Sequence, residues 1–204
     1  MKITAFALTL ALFVSSLTFG QTKFSKKDKL FDGKTFAQWV VPENNIWWNI
    51  EPKGILSATS DPTETGSTLW SEEKFTDFAV RLEFLMGEGT VDSGIFIRGE
   101  SPTNPQIQIG ISGSLKRDMT ASPYVPKQGY PVEALKNHPG VLNDKAWNVL
   151  EVHARGNRYW VWLNGVAVLD YTLDNADLEG PVGLQLHPGK TVDVRFKNIY
   201  LKAL

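Results

Sequence analysis

Apolar residues recur every second position along most of this chain. In "FAVRLEFLM", Val80, Leu82, Phe84 and Met86 alternate with Ala79, Arg81, Glu83 and Leu85. Leu150, Val152 and Ala154 alternate with Glu151, His153 and Arg155, and Val192, Val194 and Phe196 with Asp193, Arg195 and Lys197. A period of two places neighbouring side chains on opposite faces, so these runs predict strands with one buried face. Turn signals punctuate them: Asp32-Gly33, Pro52-Lys53-Gly54, Gly156-Asn157 and Asn164-Gly165, the last a hairpin dipeptide suited to a type I′ turn. "GLQLH" near residue 185 reads as a further strand. The pattern predicts ten to twelve short strands and almost no helix. That is an all-β chain, an antiparallel β-sandwich of jelly-roll type. Residues 113–146 lack periodicity and hold several Pro and Gly. A connection this long predicts a functional loop or lid over one sheet, the concave one.

The amino terminus departs from this pattern. "MKITAFALTLALFVSSLTFG" has Lys2, an apolar run and small residues at Thr18 and Gly20, the layout of a signal peptide cleaved after Gly20. The run is short for a membrane span, so no membrane association is expected after cleavage. We therefore expect residues 1–20 to be a signal peptide, 21–27 a polar leader, and 28–204 a single domain in a secreted or periplasmic protein. About 184 residues remain after cleavage, enough for one domain with a core. Charge is nearly balanced, at 21 basic and 22 acidic residues, with no basic stripe for nucleic acid. The chain has no Cys, so stability cannot come from disulfides and thiolate metal sites are excluded. No cofactor is expected. Acidic oxygens could hold Ca²⁺, but no loop of recognisable ligand spacing supports it. "DGK" and "SGSLK" lack the spacing of a phosphate loop.

An ordered set of segments carries a resemblance: "LFDGKTFAQW", "LWSEEKFTDFAVRLEF", "DSGIFIRG", "QIQI", "WNVLEVHARGNRYWVWLNG" and "GPVGLQLHPGKTVDVRFKNIYL". In this order they resemble the 3-keto-disaccharide hydrolase family over residues 28–204. The resemblance implies a concanavalin A-like sandwich, export, and hydrolysis of 3-keto-glycosides made by a separate sugar 3-dehydrogenase. Two positions depart from the family pattern. Gln106 stands where a Glu is common, and Asp92 where an Asn is common.

Candidate chemistry lies on the polar faces of the strands. Ile95 and Ile97 face one way, Phe96 and Arg98 the other. Ile107, Ile109 and Ile111 oppose Gln106, Gln108 and Ser112. Gln185 and His187 share a face, and Glu83 sits on the polar face of its strand. If these strands share one sheet, a carboxylate, a guanidinium, several amides and an imidazole converge, a set suited to a polyol. The plain alternative is a solvated sheet face with an Arg98–Glu83 ion pair. Trp70 is a candidate stacking platform for a sugar. Lys116, Asp118, Tyr124, Lys127 and Tyr130 on the long loop are candidates to close over a ligand. His138 and His153 read as solvent-facing. Trp160 and Trp162 share a face beside the Asn-Gly turn, and most of the seven Trp read as packing.

A 3-keto sugar has an acidic C2 proton. Its removal gives an enolate that expels the C1 substituent, and water then adds back. One base and one cationic or hydrogen-bonding group at the keto oxygen suffice. We expect His187 or Glu83 as the base and Arg98 or Lys127 at the enolate oxygen. Gln106, Gln108, Gln185, Trp70, Lys116, Asp118, Lys127 and Tyr130 would bind substrate. The alternative function is a non-catalytic, lectin-like carbohydrate-binding module, because the sandwich architecture hosts both.

Overall fold

The computed structural model describes residues 20–87 and 91–204. The expected signal peptide, apart from Gly20, lies outside the described residues. After a short 3-10 turn at Lys26–Asp28 come thirteen strands: β1 (Trp39–Val40), β2 (Trp48–Glu51), β3 (Ile55–Thr59), β4 (Ser67–Ser71), β5 (Phe78–Met86), β6 (Asp92–Phe96), β7 (Gln106–Gly110), β8 (Pro123–Tyr124), β9 (Asn148–Arg155), β10 (Arg158–Leu163), β11 (Val166–Thr172), β12 (Gly183–Leu186) and β13 (Asp193–Ala203). They form two antiparallel sheets, one of six strands in the order β1-β4-β12-β6-β7-β8 and one of seven in the order β11-β10-β9-β5-β13-β3-β2. The expected sandwich is what forms. The surplus over the expected strand count comes from β1 and β8, two residues each and too short to show a period.

The period-two rule explains the layers. Leu69, Ile95, Ile107, Ile109, Leu184 and Leu186 of the six-stranded sheet are almost fully buried. They join one core with Leu56, Val80, Leu82, Phe84, Leu150, Val152, Val194 and Phe196 of the seven-stranded sheet. Removing this apolar surface from water is the main stabilising term, at about 25 cal/mol per Å². Asn164 (φ 50°) and Gly165 (φ 85°) take positive φ between β10 and β11, as a type I′ turn requires.

The long connection 113–146 is not a loose lid. Met119, Thr120, Ala121, Ser122, Val125 and Ala134 are buried. The Thr120 hydroxyl accepts the Gly110 N–H at 2.8 Å, the Ser122 carbonyl accepts the Gln108 N–H at 3.0 Å, and the Ser122 hydroxyl accepts the Ala134 N–H at 3.0 Å. The segment is therefore a fixed wall continuing the six-stranded sheet past β7.

Candidate functional site

The outer face of the six-stranded sheet is polar because of register. Gly94 of β6 lies opposite Gln108 of β7 and Gln185 of β12, and Phe96 lies opposite Gln106 and Gly183. Asp92, Phe96, Gln106, Gln108 and Gln185 thus share the face turned from the core. A cavity of about 360 Å³ opens on it. Its lining is Asp92, Gln106, Gln108, Ser112, Gly113, Ser114, Tyr124, Tyr130, Gln185, His187 and Lys190.

The floor is held by amide hydrogen bonds. Gln106 Nε2 donates to Gln185 Oε1 at 2.6 Å. This leaves Gln106 Oε1 as an acceptor and Gln185 Nε2 as a donor, a complementary pair for a sugar diol. Gln108 Nε2 donates to Asp92 Oδ1 at 2.8 Å, and the Gly113 N–H donates to Asp92 Oδ2 at 2.8 Å. Asp92 is only 3% exposed, so its carboxylate lies at the bottom of the cavity with both oxygens engaged.

His187 Nδ1 lies 2.6 Å from the Pro188 carbonyl oxygen. A carbonyl only accepts, so Nδ1 carries a proton and the neutral ring keeps its lone pair on Nε2. Lys190 supplies the cavity's cation. A Cβ placed on Gly113 would lie 3.5 Å from Lys190 Nζ and 2.8 Å from Asp92 Oδ2, so ammonium and carboxylate flank the same bare backbone position. Tyr124 and Tyr130 form the aromatic wall, with ring centroids 5.2 Å apart. Burial pushes the Tyr130 phenol up to about 12, with the nearby Asp92 carboxylate adding to the effect against a hydrogen bond from Ser112.

The structure brings together Gln106, Gln108, Gln185, His187, Tyr124 and Tyr130 of the expected residues. Trp70 shares the same outer face one strand further, over Gly183 and 5.2 Å from the Phe96 ring, so it extends the floor beside the cavity. Lys116 lines an adjoining cavity instead. Asp118 accepts the Thr120 N–H at 2.8 Å and Lys127 occupies a turn at φ 68°; neither lines the cavity.

Three expectations are corrected. Arg98 does not enter the groove. Strand β6 ends at Phe96 and the chain turns through Arg98 (φ 63°) and Gly99 (φ 94°), so strand parity no longer applies. Its buried guanidinium instead donates to the carbonyls of Thr76 at 2.8 Å and Gly156 at 2.6 Å, and meets Asp77 at 3.4 Å. Glu83 sits on β5, in the opposite sheet, and its outward carboxylate binds Asn198 at 2.7 Å and Lys197 at 3.3 Å. His153 is buried, 2.7 Å from Glu151, with Thr22 of the leader packed on the pair: its N–H donates to Glu151 at 2.6 Å. Sequence reasoning missed Asp92 and Lys190 as site residues. Asp92 stood out only as a departure from the family pattern, and Lys190 follows a Pro-Gly turn where no period assigns a face.

The class that fold and site define is a two-sheet sandwich carrying an amide-rich polar cavity, suited to a polyol, on one outer face. The chain belongs to the 3-keto-alpha-glucoside-1,2-lyase-like domain family, whose model matches residues 26–202. Among curated proteins none matches the sequence. Among solved structures, one protein from Parabacteroides distasonis, called a glycosyl hydrolase, is 16% identical with a TM-score of 0.63, over 89% of this chain and 98% of that one. Another from the same organism, also called a glycosyl hydrolase, is 21% identical with a TM-score of 0.59, over 86% of this chain and 82% of that one. The carbohydrate binding module CBM66 from Bacillus subtilis is 16% identical with a TM-score of 0.54, over 81% of this chain and 96% of that one. At these identities the likeness is one of fold.

Proposed function

We propose that the protein is an exported enzyme that cleaves 3-keto-glycosides by elimination and rehydration in the cavity on the six-stranded sheet. The observation that carries this reading is the meeting of an imidazole with an open Nε2, the Lys190 ammonium and a floor of paired amides in one chamber. The family's name describes a 1,2-lyase of 3-keto-alpha-glucosides, which is an elimination across C1 and C2. His187 Nε2 takes the C2 proton. The electron pair left on C2 delocalises onto the C3 oxygen, where Lys190 stabilises the enolate. Collapse of the enolate expels the C1 substituent, which takes up a proton as it leaves. Water adds to C1 of the enone, and a proton returns to C2. Gln106, Gln108 and Gln185 orient the ring hydroxyls, and Asp92 holds Gln108 and the Gly113 loop in place. The substrate class requires prior oxidation of a C3 hydroxyl, the work of a separate sugar 3-dehydrogenase. The amino-terminal pattern supports action outside the cytoplasm.

A carbohydrate-binding module is the second reading, favoured by the apolar Trp70–Phe96 surface beside the cavity. A chromogenic 3-keto-glucoside and its unoxidised parent separate the two. The enzyme releases the aglycone only from the keto compound, and His187→Ala lowers kcat by about two to four orders of magnitude. Binding without release by the parent protein would favour the module.

A further inference from the structure

A second cavity of about 380 Å³ adjoins the first. Ser112, Gly113 and Lys190 line both, so the two chambers meet across the Ser112-Gly113 backbone. Each is near the lower end of the size of a small-ligand site, about 300 Å³ upward, so each suits one small unit and the pair suits a two-unit ligand. The second chamber differs in chemistry. It has no glutamine floor. Lys116 and Lys190 supply two ammonium groups against the single carboxylate of Glu64, and Ile111, 36% exposed, supplies an apolar wall. Glu64 is already engaged by the Thr191 hydroxyl at 2.6 Å, and its carbonyl accepts the Gly189 N–H at 2.8 Å. Neither lysine forms an ion pair among the described residues. Gly113 keeps the passage open: a Cβ there would lie 2.9 Å from Lys190 Cε and 2.8 Å from Asp92 Oδ2.

We propose that this second chamber is the subsite for the unit that leaves from C1, and that it favours a leaving unit bearing a carboxylate. The proposal rests on the elimination reading above. The keto ring occupies the amide-floored chamber, and the glycosidic bond crosses Gly113. The leaving unit lies along Ile111 with its carboxylate toward Lys116, while Lys190 at the boundary serves the enolate.

The test compares 3-keto-glucosides of 4-nitrophenol and of its ring-carboxylated analogue on the full chain and on Lys116→Asn. Asparagine tolerates the left-handed backbone at this position (φ 56°) while removing the charge. For the carboxylated substrate kcat/KM should fall about three- to fivefold, the range of a partly exposed ion pair, and added salt should shrink the difference. The neutral substrate should lose less than the carboxylated one. Equal change for both substrates, or none for either, overturns the proposal. A binding readout keeps this separate from the reaction. In an NMR titration, methyl glucuronide should shift the Gly113 and Gly189 amides at lower concentration than methyl glucoside, and Lys116→Asn should erase that preference. Turnover of neither substrate would defeat the elimination reading, and the titration would then decide the anion subsite alone. No preference for the glucuronide would defeat the subsite.

Discussion

Gln106 and Gln185 reach across β6 and meet over Gly94, Nε2 to Oε1, at 2.6 Å. The contact exists because residue 94 has no side chain. A Cβ there would lie 2.2 Å from Gln106 Nε2 and 2.7 Å from the Ile107 carbonyl oxygen. The "DSGIF" glycine is therefore part of the floor.

Gly94→Ala should separate the two amides and push on the β7 backbone. The expected cost is about 1–3 kcal/mol of stability, as for other overpacked sites. Denaturant unfolding measures it. In the protein that remains folded, KM for a 3-keto-glucoside should rise, because the paired donor and acceptor no longer face the ring.

Arg98 and Glu83 should behave as structural residues. Arg98→Met leaves the Thr76 and Gly156 carbonyls without their guanidinium donor, while Asp77 keeps the Gly156 N–H, at about 3 kcal/mol. Unfolding midpoints should fall while kcat of the folded fraction holds. Glu83→Gln lies on the far sheet and should leave turnover unchanged. A large loss of kcat at full stability in either variant would move the active site.

The sandwich, its hairpins and the buried half of each strand were legible because burial on one face imposes a period of two. The glutamine row was legible for the same reason. Arg98 was misread because parity holds only while backbone dihedrals stay extended, and the chain leaves β6 at Phe96. Glu83 was misplaced because alternation assigns a face within a strand but not the sheet to which the strand belongs. Lys190 depends on how the Pro188-Gly189 turn folds over the sheet, and Lys127 and Asp118 fall outside the cavity for the same kind of reason, which no local pattern encodes. His153 reads as a polar outward position, and only the leader lying over Glu151 reveals its burial.

Tyr130 should ionise late. An unfolded tyrosine titrates near 10, and burial raises this phenol to about 12. The folded state holds the proton more tightly, so this contribution to stability is complete below about pH 10 and is lost as pH rises from about 10 to 12. Tyr130→Phe should remove one late-titrating phenolate from the ultraviolet absorbance titration and flatten the fall in stability over that window. Loss of a phenolate that titrates near 10 instead would place Tyr130 in open water.

The central claim is that C2 of a 3-keto sugar loses its proton during cleavage, and the most direct measurement is turnover in D₂O. Elimination and rehydration should leave one deuterium at C2 of the released 3-keto sugar, beyond background exchange measured with His187→Ala. Substrate deuterated at C2 should also react more slowly in water. Release of a product that keeps its original C2 hydrogen, with no isotope effect, would contradict the elimination and point to direct displacement at C1.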